Sequence, residues 1–258
     1  MSFPTTVGLE IGMEKLTYAA NQNGRVLGTR AVTPDGRVFR WARNGGVAIE
    51  TGHLVQTAAK LSSSVHVNGL TVINATVTGV TTITVTMATT PTTRDLYADG
   101  WLTIDTSPGQ AMYRVKGNDA ADSGADAEIR LYESDEIKNP LTSGTTTVGL
   151  QRNAYVSVII MPTTVTGAPI GVTPINVAVA GYFWLQTWGE CLVNLDTAPL
   201  AGTRLVFTGD SAGNLDIQST SSADAGANQE SLLPTLAIAQ TIGAGADKYH
   251  KVFLTISP

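Results

Sequence analysis

Cysteine is almost absent from this sequence, since Cys191 is the only one among 258 residues. A single thiol cannot form a disulfide within the chain or a cysteine-based metal cluster. The fold therefore does not depend on oxidation, and we expect the chain to fold in a reducing cytoplasm. The neighbours of Cys191 are acidic or apolar, which disfavours a reactive thiolate and favours a small buried side chain.

Charged residues are also scarce, at 14% of the chain, against about a quarter in ordinary soluble domains. Because charge is depleted at the centre of protein interfaces, this scarcity indicates a surface that other subunits partly cover. The net charge of −5 and the pI near 5.1 argue against a nucleic-acid partner, which would require a basic surface.

Long apolar runs are missing as well. None approaches the length of about 18 residues that a transmembrane helix needs. The first residues lack the basic and apolar regions of a signal peptide. We therefore expect no membrane partner and no ordinary secretion.

Alternation of apolar and polar residues is the strongest pattern that the sequence does contain. Residues 70–87 alternate apolar side chains with Thr or Asn, which is the period of a β-strand. Turn residues divide 29–42 at PDG and 100–117 at TSPG, which predicts two hairpins. Strand patterns recur about every 8–12 residues, as in sandwiches and barrels. The sequence therefore predicts an all-β fold with two small β-barrel or sandwich units and an extended N-terminal arm.

Three parts of the chain differ in their pattern. Residues 1–23 mix polar and apolar residues without a recognisable strand partner, which predicts the N-terminal arm. Residues 66–148 form a block of strands that ends in the polar stretch NPLTSGTTT, which predicts an inserted β domain. The strands of 24–65 are too few to bury an apolar face alone, so we expect them to join 149–258 in a base domain.

The stretch GYFWLQTWGECLVNLD, residues 181–196, combines two tryptophans with the lone cysteine. Its alternation predicts a strand with bulky side chains on both faces, buried between two layers. Gly181 and Gly189 are typical turn residues, so we expect a hairpin whose returning strand begins at Cys191. Trp188, at the end of the first strand, is the residue that we expect to reach a subunit interface.

No catalytic constellation is recognisable in the sequence. It contains no G-x-S-x-G motif and no phosphate-binding loop, and His53, His66 and His250 lie in different elements. We therefore predict that the chain is not an enzyme and has no catalytic residues and no cofactor.

One loop is a candidate cation site. Asp119, Asp122 and Asp126 lie within residues 117–128 and could offer oxygen ligands to calcium. Their spacing does not fit an EF-hand, and a Gly/Asp-rich hairpin loop is more simply a solvated turn. We therefore predict no metal site.

A basic and aromatic strip, GRVFRWARNGG, occupies residues 36–46 and includes Arg37, Arg40 and Trp41. Such a strip can stack on nucleic acid, contact acidic groups of a partner protein, or cover the edge of the core while the arginines reach solvent. The acidity of the whole chain disfavours nucleic acid, which leaves a protein interface or a core edge.

Several segments, taken in order, carry a resemblance to a known group. DGRVFRWARNGG, ETGHLVQ, GWLTIDTSPGQAMYRVKG, GAPIGVTPINVAVAGYFWLQTWGECLV and KVFLTISP resemble a group of tailed-bacteriophage virion proteins. The resemblance extends over most of the chain, and none of these segments is a catalytic motif. It implies a structural protein of the capsid decoration, or cement, type.

That resemblance sets the functional expectations. The chain would be made in the host cytoplasm, bind the major capsid protein on the outer surface of the same virion and stabilise the shell, as a homotrimer. We expect the residues at its interfaces to be Phe3, Leu9, Ile11, Leu16, Tyr18, Arg37, Arg40, Trp41 and Trp188. Two alternatives stay open: a tail, baseplate or head-fibre component, and a glycan-binding head that would use Trp101, Trp184 and Trp188 to stack on sugars.

Overall fold

The computed structural model describes residues 6–58, 66–106, 109–218, 233–241 and 248–258. The predicted all-β fold is confirmed, with 41% of residues in strands and 2% in helix. The strands are β1 (Val7–Gly8), β2 (Thr17–Tyr18), β3 (Arg30–Val32), β4 (Val38–Arg43), β5 (Leu54–Gln56), β6 (Leu70–Thr71), β7 (Thr82–Thr86), β8 (Trp101–Ile104), β9 (Met112–Asn118), β10 (Asp126–Leu131), β11 (Thr147–Gln151), β12 (Ile159–Ile160), β13 (Pro169–Val172), β14 (Tyr182–Leu195), β15 (Arg204–Val206), β16 (Asp216–Ile217), β17 (Ala237–Ala239) and β18 (Lys248–Thr255). Two short 3₁₀ turns lie at Met13–Lys15 and Gln22–Gly24.

The chain divides into two compact units. The first consists of Met1–Ala59 and Ala154–Pro258, and the second of Lys60–Asn153. Each unit contains one sheet, of twelve strands in the first and six in the second.

The sheet of the first unit has the strand order β1-β3-β4-β14-β18-β17-β15-β16, and β2, β5, β12 and β13 join it off this path. The hairpin predicted over 29–42 is confirmed, because β3 and β4 pair antiparallel around the turn that contains Gly36. Gly36 has a φ of 84°, which a glycine adopts without the steric cost of a side chain.

The stretch 181–196 is one continuous strand, so the predicted hairpin is wrong. Residues of β14 up to Trp188 pair with β4, and residues from Trp188 onward pair with β18. A β-bulge shifts the register of the β14–β4 pairing between Gln186 and Trp188, and Gly189 follows it with a φ of 90°. The glycine accommodates a bulge rather than a chain reversal, a difference that residue type alone does not reveal.

The second unit is a nearly closed barrel with the strand order β6-β11-β8-β9-β10-β7. A bridge between Val72 and Val85 links the two ends of this order. The second predicted hairpin is also confirmed, because β8 and β9 pair antiparallel. Apolar side chains such as Ile83, Leu102 and Ile129 fill the interior, as in other small barrels.

The described part of the N-terminal segment lies along the sheet of its own chain. Val7 pairs with Ala31 in a parallel ladder, and Tyr18 pairs with Tyr182. Two-residue strands at both ends of residues 7–18 thus pair this segment with other strands of the first unit.

Candidate binding surface

Two of the residues predicted at an interface lie in the core of their own chain. Leu9 is buried, and Trp41 is only 1% exposed. Both belong to a cluster with Ala31, Phe39 and Trp184, because the N-terminal segment covers this face of β4. Neither side chain is therefore on the outer surface, which corrects the assignment of Leu9 and Trp41 as exposed contact residues; both line a cavity instead. Phe3 lies outside the described residues.

Other residues of the same segment are exposed. Ile11 is 62% exposed, and Met13 and Leu16 are exposed too, whereas Tyr18 is half-buried. We call Ile11, Met13 and Leu16 the N-terminal ridge. Three large apolar side chains are thus exposed within six consecutive residues, and exposed apolar groups of this kind mark candidate contact sites.

A buried carboxylate holds this ridge in place. Glu14 is 1% exposed, and its Oε1 lies 3.1 Å from Nη2 of Arg37. Its other oxygen accepts a hydrogen bond of 2.5 Å from the backbone N–H of Gly12. Burial raises the pKa of the Glu14 carboxyl, but the backbone hydrogen bonds and the Arg37 guanidinium outweigh this effect, so the pKa is lowered overall.

The two arginines predicted at an interface have partners within the chain. Arg37 also forms an ion pair of 2.8 Å with Asp35, so it serves as a link between the ridge and β4. Arg40 is half-buried on the opposite face of β4, where Nη1 donates a long hydrogen bond of 3.4 Å to the carbonyl of Gly28.

A cavity of about 360 Å³ opens beside the ridge. We call it the Arg25 cavity. Two tryptophans, a tyrosine, one arginine and one glutamate line it together with apolar side chains. The residues used below are Leu9, Glu10, Met13, Tyr18, Arg25, Trp41 and Trp184. The volume lies within the range of about 300–1,000 Å³ that is typical of ligand sites.

Aromatic packing makes the wall of this cavity rigid. The ring centroids of Trp41 and Trp184 are 4.9 Å apart, and those of Trp41 and Tyr18 are 5.5 Å apart. The indole N–H of Trp41 donates to Oδ1 of Asn21 at 2.9 Å, which satisfies its one polar group. The guanidinium of Arg25 lies 4.9 Å from the Trp184 ring centroid and 5.6 Å from that of Trp41, a cation–π arrangement.

A second exposed surface is formed by one face of strands β14, β18 and β17. Glu190 pairs with Phe253, which pairs in turn with Ile238, so these three side chains share that face. We call it the outer sheet face; its apolar members are Trp188, Leu192, Ile238, Tyr249 and Phe253.

Contacts within the outer sheet face fix its geometry. The rings of Trp188 and Phe253 meet edge to face with centroids 5.4 Å apart. Nζ of Lys251 lies 2.8 Å from Oε1 of Glu190. Leu192 and Tyr249 are exposed, the latter at 49%. The prediction singled out Trp188, which is half-buried here, but missed its neighbours because only strand register brings them together.

Cys191 lies on the opposite, buried face of β14. It belongs to the core cluster with Val193 and Leu254. Burial raises the pKa of its thiol to about 12, which disfavours the nucleophilic thiolate at neutral pH.

The candidate calcium residues are used in other contacts. Oδ1 of Asp119 lies 2.8 Å from Nη1 of Arg130, and Oδ1 of Asp126 accepts a hydrogen bond of 2.8 Å from the Thr86 hydroxyl. Asp122 is exposed. Within the described part of the chain, no group of three His, Cys, Asp or Glu side chains is arranged to hold a metal ion.

The three tryptophans considered for sugar binding have different surroundings. Trp101 belongs to the second unit, where the Arg114 guanidinium lies 4.8 Å from its ring centroid. Trp184 is 3% exposed, and Trp188 lies on the outer sheet face. Trp184 therefore offers no open ring on which a sugar could stack.

Among the described residues, no helix has the length and apolarity needed to cross a membrane. Comparisons with protein-family models, curated proteins and solved structures found no match to this chain.

Proposed function

We propose that this chain is a structural protein of a tailed-phage virion that binds the outer surface of the capsid and stabilises the shell as a decoration protein. The observation that carries the proposal is the presence of two groups of exposed apolar side chains on the first unit, in a chain with only 14% charged residues. Such surfaces favour permanent assembly over life as a free monomer. The sequence resemblance to virion proteins indicates the capsid as the proposed partner.

The two surfaces suit two kinds of contact. The N-terminal ridge projects three apolar side chains beside a cavity, which suits insertion into a junction between shell subunits. The outer sheet face spans three strands and bears a Trp–Phe pair, and aromatic residues are enriched in interface hot spots. We assign the ridge to the major capsid protein and the outer sheet face to neighbouring copies in a trimer.

Shell stabilisation follows from selective binding. A protein that binds the intact lattice, but not its dissociated subunits, shifts the equilibrium toward the lattice by mass action. Trimerisation links three weak contacts, so the second and third form at a high effective concentration. A location in the tail, baseplate or head fibre would use the same surfaces at another place in the virion.

Binding to empty capsids tests this function. Purified chain is mixed with capsids of the virus that encodes it, and bound chain is measured by co-sedimentation alongside the temperature at which the capsids break. We expect saturable binding and a higher breaking temperature. Failure to co-sediment would remove the proposal.

A pair of matched variants tests the role of the ridge. Ile11→Asp places a charge on the ridge, whereas Val179→Asp places the same charge at an exposed valine elsewhere on the first unit. We expect only Ile11→Asp to weaken capsid binding, by about tenfold or more for a hot-spot contact. Equal capsid binding by the two variants would show that the ridge is not the contact with the capsid.

A further inference from the structure

The Arg25 guanidinium has no counter-ion within the described structure. Its Nε is buried and without a hydrogen-bond partner, and no carboxylate of the described residues lies within ion-pair distance of it. Its contacts are with the rings of Trp41 and Trp184. A guanidinium that stacks on aromatic faces keeps its in-plane N–H donors, which match a carboxylate in a two-pronged geometry.

Two other arginines of this protein have guanidinium groups that are paired with carboxylates, which gives a comparison for Arg25. Arg37 pairs with two carboxylates, and Arg130 has three within 4 Å. Arg43 stacks on Tyr182 with 5.6 Å between guanidinium and ring centroid; like Arg25 it has no described carboxylate partner, but it does not line the cavity. Arg25 thus combines an unused charge with space for a ligand.

The side chains that line the cavity favour one class of ligand. Leu9 and Met13 give it an apolar lining beside the single guanidinium. Both indoles are almost fully buried, so the cavity lacks the open aromatic platform that an acidic sugar would use. A short acidic side chain with an apolar neighbour fits this combination better.

Local charge supports an acidic partner. Residues 1–58 contain six basic and four acidic side chains, although the whole chain carries a net charge of −5. Of the carboxylates in that stretch, Glu14 is engaged by Arg37. Glu10 lines the cavity without forming an ion pair with Arg25, and its charge opposes an incoming carboxylate.

We propose that the Arg25 cavity receives an aspartate or glutamate side chain of the capsid protein to which the chain binds. The identity of the partner rests on the proposed function, whereas the carboxylate preference rests on the cavity alone. The N-terminal ridge contacts the apolar residues that flank the acidic side chain, since Met13 belongs to both the ridge and the cavity lining.

A peptide titration tests the carboxylate preference without the capsid. The probes are acetyl-Leu-Asp-Leu-amide and the matched acetyl-Leu-Asn-Leu-amide, and the readout is the NMR shift of the indole N–H groups of Trp41 and Trp184. We expect the acidic peptide to shift both signals at concentrations up to about 10 mM, and the amide peptide to bind about fivefold more weakly or worse. Equal shifts from the two peptides, or no shift from either, would overturn the proposal.

Variants assign the effect to Arg25. Arg25→Met keeps an apolar stem over the indoles and removes the charge, and Arg43→Met makes the same change at the stacked arginine outside the cavity. We expect only Arg25→Met to lose the preference for the acidic peptide. Glu10→Gln removes the opposing charge, so we expect it to strengthen binding of that peptide. Acidic-peptide binding that survives in Arg25→Met would contradict the assignment.

The same variants are then compared on capsids, after thermal unfolding has shown that each is folded. We expect Arg25→Met to weaken capsid binding about tenfold or more and Arg43→Met to change it by less than about twofold. If Arg25→Met does not fold, Arg25→Lys retains the charge without the planar fork, and we expect it to bind more weakly than the native chain. If the native chain binds the acidic peptide but not capsids, the proposed function fails and the cavity assignment stands.

Discussion

Glu14 shows how a single residue positions the N-terminal ridge. Its carboxylate is buried between the Gly12 N–H and the Arg37 guanidinium, while its neighbours Met13 and Lys15 are exposed. A buried charge with two good partners stabilises one conformation, because any other arrangement leaves it unpaired. These two contacts therefore hold the ridge in one conformation.

Glu14→Gln tests this anchor. We expect a loss of about 1–3 kcal/mol in the free energy of unfolding at pH 7, because the ion pair with Arg37 is removed. Glu10→Gln is the control on the same segment, and we expect a change of less than about 0.5 kcal/mol. Denaturant unfolding of the three proteins measures the difference.

The effect of Glu14→Gln is also expected to depend on pH. Because the pKa of Glu14 is lowered in the folded chain, its ionised form contributes stability above the unfolded-state pKa of about 4.3. That contribution is lost as the pH falls through the lower folded-state value. The native chain and Glu14→Gln should therefore converge in stability in acid, and a difference that stays constant down to pH 3 would contradict the anchor role.

For single residues, the sequence predicted the aromatic and basic character of the strip but not the surroundings of its side chains. The aromatic and basic strip is real, but Trp41 lies in the core and Arg37 forms internal ion pairs. Arg25 was not predicted, since its cavity is assembled from the N-terminal segment, β4 and β14. Such contacts depend on tertiary structure, and strand alternation reports only which residues share a face.

Among the elements, β14 has the largest influence on the first unit. Its 14 residues pair with β4 in the first part and with β18 in the second, and both ladders meet at Trp188. The predicted hairpin around Gly36 formed because its turn residues act locally, and the strands predicted within 100–117 pair as a hairpin too. The predicted turn at Gly189 did not form, because two partner strands stabilise a continuous strand with a bulge.

Gly189→Ala tests whether the bulge requires glycine. The backbone has a φ of 90°, and a Cβ atom would lie 3.1 Å from Cγ and 3.2 Å from Cα of Arg37. We expect a loss of about 2 kcal/mol or more in the free energy of unfolding, from the left-handed conformation and this crowding. Urea denaturation measures it.

Gly202→Ala separates the cost of the left-handed backbone conformation from the cost of crowding. Gly202 has a φ of 84° with nothing within 4 Å of its Cβ position, so only the conformational cost of about 1–2 kcal/mol applies. A smaller loss in Gly202→Ala than in Gly189→Ala is expected. An unaltered stability of Gly189→Ala would show that the bulge tolerates a side chain.

On the scale of the whole molecule, the first unit bears two exposed apolar surfaces. The ridge is assigned to the capsid and the outer sheet face to other copies of the chain. The sequence predicted the all-β class from alternation and turns, and its low charge indicated covered surfaces. It could not locate the exposed apolar surfaces, because the outer sheet face arises from the register of β14, β17 and β18, and the N-terminal ridge depends on the tertiary contacts of Glu14.

Trp188→Ala tests the assembly role of the outer sheet face. In analytical ultracentrifugation we expect the native chain to sediment as the proposed trimer and Trp188→Ala to shift toward monomer, because a hot-spot aromatic contributes about 2 kcal/mol or more to an interface. Trp101→Ala, at an exposed tryptophan of the second unit, should remain trimeric. A trimer that persists in Trp188→Ala would show that this face is not the assembly contact.

Electron cryo-microscopy of the virion tests the proposed location on the capsid most directly. We predict density for both units of the chain on the outer surface of the capsid, with the N-terminal ridge against the major capsid protein and an acidic side chain of that protein at Arg25. Density for the chain in the tail, or none anywhere in the particle, would contradict the account.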